Sequence, residues 1–97
     1  MPYAILAFDK PNTNELRAQV RAEHLAYLEQ RKHLILAGGP LLDDDGRPLG
    51  GMQVIDTESG EVAEEFAAGD PFRKAGLFES VQVVRWRKVF FNYESAH

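Results

Sequence analysis

Both alternating sets of side chains are apolar in several strand-like stretches of this sequence, and that pattern limits the fold more than any other feature. Tyr3, Ile5 and Ala7 alternate with Ala4, Leu6 and Phe8; Leu34 and Leu36 alternate with Ile35 and Ala37; Val81 and Val83 alternate with Val84 and Trp86. Successive side chains of a strand point to opposite faces of a sheet, so a sheet with one wet face would alternate apolar with polar residues. These strands need cover on both faces. The rest of the sequence offers too few helices for that, so the second face is expected to pack against another copy of the chain in a homodimer.

The order of elements follows from periodicity and breakers. Tyr3 to Phe8 reads as a strand. Pro11-Asn12-Thr13-Asn14 breaks it and opens a helix, with Asn12 as N-cap and Glu15 three residues on, the spacing of a capping box. That helix is expected to run to about Lys32. His33 to Leu42 reads as a second strand, Asp43-Asp44-Asp45-Gly46 as a hairpin turn in which Gly supplies positive φ, and Leu49 to Asp56 as a third strand. Val62 and Phe66 predict a helix over Gly60 to Ala68, a short helix follows Asp70, and Leu77 to Phe90 reads as a long final strand. A βαββαβ order with a right-handed crossover predicts an α+β fold: a four-stranded antiparallel sheet with both helices on one face. The tail from Phe91 to His97 either folds onto the partner or frays.

A chain of 97 residues is expected to form a single domain, residues 1–97. No apolar run approaches the roughly 20 residues needed to span a bilayer, and the run from Tyr3 to Phe8 is too short for a signal peptide, so no membrane is expected and the chain reads as cytoplasmic. With no cysteine there is no disulfide, thiolate nucleophile or cysteine zinc site. A net charge of -4 without a basic tract argues against nucleic acid, whose binding rests on Lys and Arg against phosphates. Arg17 and Arg21 on successive helical turns, and Arg85, Arg87 and Lys88 near the C-terminus, read as solvated surface.

Three residues stand out as chemistry. On the first helix, at about 100° per residue, Leu16, Val20, His24, Tyr27 and Leu28 share one side, so His24 points inward. An inward imidazole is either a core histidine bonded to a backbone carbonyl or a general acid/base held by an acceptor. Asp70 precedes Pro71, the pattern of a helix start in which the carboxylate caps the first turn and Pro takes the first helical position; Gly76 ends that helix. A carboxylate has acceptor capacity beyond one cap. Arg21, one turn before His24, either binds an acidic group of a substrate or forms a surface ion pair. Gly38-Gly39-Pro40 reads as a bend, the Asp43 to Asp45 triplet lacks the ligand spacing of a calcium loop, and neither His33 nor His97 has a helix-periodic His or carboxylate partner, so no metal site is expected.

Taken in order, Tyr3, Arg21, His24, Leu25, Gly38-Gly39-Pro40, Gly51, Asp70-Pro71-Phe72 and Ala75-Gly76-Leu77 resemble the pattern of the YCII-related family. The resemblance implies a dimeric ferredoxin-like α+β fold, assembled like an α/β barrel, with a pocket built around a His/Asp pair, here His24 and Asp70. One oxygen of Asp70 would cap the turn while the other fixes the His24 tautomer. A minority of relatives resemble dehydrochlorinases acting on chlorinated hydroxyquinols, and the fold is similar to that of muconolactone isomerases. The expectation is a small-molecule enzyme of lyase or isomerase type acting on a small cyclic or aromatic acid. His24 would shuttle the proton, Asp70 would orient the ring and Arg21 would hold the substrate, without a cofactor. The alternative is a noncatalytic metabolite-binding or assembly module of the same fold.

Overall fold

A computed structural model, which describes residues 1–96, contains a four-stranded sheet. β1 (Tyr3–Asp9) and β3 (Pro48–Ile55) are its central strands, flanked by β2 (Ile35–Leu42) and β4 (Phe78–Arg85) in the order β2-β3-β1-β4, all antiparallel. The helices are α1 (Asn14–Gln30), α2 (Gly60–Gly69) and the single turn α3 (Pro71–Lys74). The architecture is the expected ferredoxin-like α+β sheet with helices on one face. Among the described residues no helix is long and apolar enough to cross a membrane.

Register sorts the strand residues cleanly. Ile5 pairs with Gln53 and Val83, Tyr3 with Ile55, and Ala7 with Gly51 and Val81, so these share the face beneath the helices. There Ile5, Ile55, Phe66 and Ala67 form a buried cluster, with Tyr27, Leu28, Leu34, Ile35, Val81 and Val83 packed around it. The opposite face leaves Phe8 43%, Met52 40% and Val84 48% exposed, an apolar surface that no element among the described residues covers. β1 and β3 approach closely at Gly50, where a Cβ would stand 2.0 Å from the Ala7 carbonyl oxygen; no side chain fits there.

Several boundaries differ from the sequence reading. Asn12 is not the N-cap: it takes a left-handed φ of 61°, tolerable for Asn, and α1 begins behind Thr13. The Thr13 hydroxyl donates to the Lys10 carbonyl at 2.6 Å rather than capping the helix. A 3-10 turn over Lys32–Leu34 delays β2 to Ile35. Gly38-Gly39-Pro40 is no bend; it runs inside β2, opposite Gln53, Met52 and Gly51, and the register shifts fall on either side of it. β4 ends at Arg85, and residues 90–95 form a separate hairpin of β5 (Phe90–Phe91) and β6 (Glu94–Ser95). Asn92 and Tyr93 both adopt positive φ at its turn, as a primed two-residue hairpin requires. The tail expected to fray or to cover a partner thus pairs with itself up to Ser95, and His97 lies outside the described residues.

Two local signals hold as read. Asp43 Oδ1 accepts from the backbone N–H groups of Asp45 and Arg47, both at 2.9 Å, and Gly46 has φ +82°, which closes the β2-β3 turn. Asp70 caps α3 ahead of Pro71, with Oδ1 accepting from the Phe72 N–H at 2.9 Å.

Candidate active site

The floor of the sheet beneath α1 is made of small residues. Ala7, Gly38 and Gly51 contribute almost no side-chain volume, and a cavity of about 330 Å³ remains between them and the helix. A Cβ added at Gly51 would meet only the Gly39 carbonyl oxygen, 3.8 Å away, so the space above it is open. The roof is a stripe of α1: Arg17, Arg21, His24 and Leu28, spaced i, i+4, i+7 and i+11. Asp70 and Phe72, at the start of α3, close one side.

The structure brings His24 and Asp70 together. His24 Nδ1 lies 2.7 Å from Asp70 Oδ1, and both side chains are largely buried, at 14% and 9% exposure. Because the carboxylate accepts, Nδ1 carries the proton and the lone pair of the neutral ring is on Nε2. The ring is fixed a second way, stacked on Phe72 with centroids 4.0 Å apart and planes 15° apart; Phe72 is itself buried and meets Phe78 edge-on. One detail differs from the expectation. The cap and the histidine share Oδ1 instead of taking one oxygen each, and Oδ2 has no hydrogen bond to the described chain.

The two arginines have different surroundings, and only Arg17 departs from the sequence reading. Arg17, read as solvated surface, is only 13% exposed: Nε donates to Asp9 Oδ2 at 2.8 Å, and Nη2 to Asp9 Oδ1 at 3.1 Å and to the Gly50 carbonyl at 3.0 Å. Its guanidinium lies 4.7 Å from the Phe72 ring centroid, so it braces the aromatic wall behind His24. Its helical phase with Arg21 and His24 was the available signal. Arg21 is exposed where it meets the cavity, and among the described residues it has no carboxylate partner. Among the described residues the surface ion pair is therefore absent. Tyr27, one turn beyond His24, donates to the Phe66 carbonyl at 2.8 Å. Burial pushes its phenol above the usual 10.0, against the opposing pull of Arg31, with Asp70 adding to the rise. Among the described residues no group of three or more His, Asp or Glu side chains is disposed to hold a metal ion.

Known proteins resemble this chain in sequence and in fold. The chain is 38% identical over 98 residues to Protein YciI of Escherichia coli and to an uncharacterized protein of Haemophilus influenzae, spanning 93% of this chain and all of each relative. Among solved structures it is similar to 5-chloro-2-hydroxyhydroquinone dehydrochlorinase from Burkholderia phenoliruptrix, determined in complex with 2,5-dihydroxybenzoquinone. The TM-score is 0.82 at 38% identity, over 90% of this chain and 94% of that one. An antibiotic biosynthesis monooxygenase, at a TM-score of 0.51 and 15% identity over 90% of this chain and 99% of that one, shares the fold alone. The profile of the YCII-related domain matches residues 1–87, and with these relatives it establishes that the chain belongs to the YCII-related family.

Proposed function

We propose that the protein is a small-molecule enzyme of the lyase type, acting on a hydroxylated ring that carries an anionic leaving group, with His24 and Asp70 as its catalytic residues. The observation that carries this reading is the 2.7 Å contact between His24 Nδ1 and Asp70 Oδ1 at the wall of the cavity, which leaves Nε2 for the ligand. Likeness to a dehydrochlorinase at 38% identity supports the reaction class. In the proposed sequence Nε2 takes the proton of a ring hydroxyl and returns it to the ring carbon bearing the leaving group. Loss of a second hydroxyl proton then forms a carbonyl and expels the group with its bonding electrons. The net change is loss of one proton and one anion, with no redox partner. Asp70 stabilises the imidazolium between the two transfers, and Arg21 holds an acidic oxygen of the substrate at the rim.

Chloride release from a chlorinated hydroxyquinol tests the reading. Asp70→Asn keeps an oxygen able to accept both the Phe72 N–H and Nδ1–H but loses the charge, so turnover should fall by about 100-fold or more while the fold is retained. His24→Asn should do the same. Wild-type protein that binds such a ring and releases no chloride would leave a noncatalytic binding module instead.

We also infer that two chains pack through the outer sheet face, because Phe8, Met52 and Val84 expose apolar surface there. Light scattering at micromolar concentration should give the mass of a dimer; a monomer would refute the pairing.

A further inference from the structure

Gln53 breaks the pattern of its strand. Its neighbours on the helix-facing side of the sheet are Ile5, Gly51 and Ile55, and cross-strand Gly38, yet position 53 is a carboxamide with only 9% of its surface exposed. Among the described residues it is the one polar side chain that the sheet contributes to the cavity, and no group of the chain hydrogen-bonds it. A carboxamide set among apolar residues needs a hydrogen-bond partner, and here only the cavity space can supply one. No fully enclosed side-chain nitrogen or oxygen lacks a partner, so the Gln53 amide keeps its access to the cavity space. Room for it is made by Gly38, where a Cβ would come within 3.1 Å of Gln53 Cγ.

Of the other polar side chains around the cavity, Asp70 keeps an unbonded atom near the wall, its Oδ2, on the helix side. His24 is tied through Nδ1 to Asp70, Arg17 is neutralised by Asp9, and Arg21 stands exposed at the rim. The roof therefore presents a base and a positive charge, while the floor presents one neutral group able both to donate and to accept. We propose that Gln53 is a ligand-binding residue that selects flat rings bearing a neutral oxygen, hydroxyl or carbonyl, on the side turned to the sheet. The ring spans from Nε2 of His24 on the helix to the carboxamide on β3, over the open floor at Gly51. This deepens the lyase reading and rests on it for the ring class, but it names a different residue and a different property.

The discriminating feature is a pair of opposite signs. Gln53→Leu removes the unpaired amide and keeps the volume, so thermal stability should hold or rise, whereas affinity for 2,5-dihydroxybenzoquinone, measured by calorimetry, should fall roughly tenfold or more as the ligand oxygen loses its partner. Gly38→Ala, which crowds the Gln53 stem, should weaken binding by a smaller factor. Affinity of Gln53→Leu within about twofold of wild type would overturn the assignment. So would loss of folding in that variant, since a carboxamide needed for folding must have a partner in the chain. Failure of the wild type to bind the quinone would overturn the ligand class. The two proposals fail separately: Gln53-dependent binding without chloride release defeats the catalytic reading alone, and His24-dependent release with Gln53-independent binding defeats this one alone.

Discussion

The helices α1 and α2 lie on the same sheet and do opposite things with it. α2 has 10 residues and buries Ala63, Phe66 and Ala67; α1 has 17 and buries none. Length does not decide this. α2 packs straight onto Ile5 and Ile55, whereas the middle of α1 faces the cavity over Ala7 and Gly51 and spends its inward stripe on Arg17, Arg21 and His24. A helix that roofs a ligand space forgoes apolar burial worth about 25 cal/mol per Å², and the short helix beside it supplies the packing instead. The apolar packing and the polar stripe over the cavity thus fall mainly on different helices.

Phe66 gives the largest expected difference between the two helices. Truncation to Ala in α2 should cost about 3–5 kcal/mol in urea denaturation, and truncation of half-buried Leu28 in α1 less than half as much. Equal costs would mean that α1 carries the core after all. The next effect sharpens the role of α1. His24→Ala, Asp70→Ala and the double change should be nonadditive by about 0.5 kcal/mol or more, since the two side chains touch; additive values would separate them. Tyr27 links the helices, its hydroxyl on α1 donating to a carbonyl of α2, and Tyr27→Phe should cost about 1 kcal/mol. The phenol is raised above 10.0 in the folded protein. Its contribution is therefore present in full below the unfolded value and is lost as pH rises through the folded one, so wild type and Tyr27→Phe should converge in stability at strongly alkaline pH. The smallest stability effect belongs to Arg21→Gln, within about 0.5 kcal/mol, because the side chain is exposed and unpaired. Its ligand affinity should nevertheless drop several-fold for an anionic ring and not for a neutral one.

Much of this was legible in the sequence because it rests on short-range chemistry. Asp70-Pro71 marks a cap, Asp43 to Gly46 marks a turn, and alternation marks the strands; each is decided within a few residues. The errors share a cause too. Asn12 and Thr13 both suit an N-cap, and only the path of the chain out of β1 makes one left-handed and turns the other toward Lys10. Arg17 was misread because its partners, Asp9 and the Gly50 carbonyl, are supplied by β1 and β3, and a helix stripe alone does not reveal a carboxylate waiting across the sheet. Gln53 was passed over because one polar residue in a strand is ordinary; its meaning depends on which face register assigns it. Gly38-Gly39-Pro40 looked like a bend because glycine and proline usually punctuate, whereas here Gly38 makes room for a neighbouring side chain.

The shared oxygen of Asp70 has a practical consequence. Because the Phe72 N–H and His24 Nδ1 draw on the same Oδ1, any change in the imidazole alters the electron density available to the amide. The Phe72 resonance in an amide correlation spectrum is thereby a reporter placed by the fold itself: protonation of the ring or arrival of a ligand at Nε2 should move that one peak, two bonds of the network away, before any label is attached and without altering a single atom of the site.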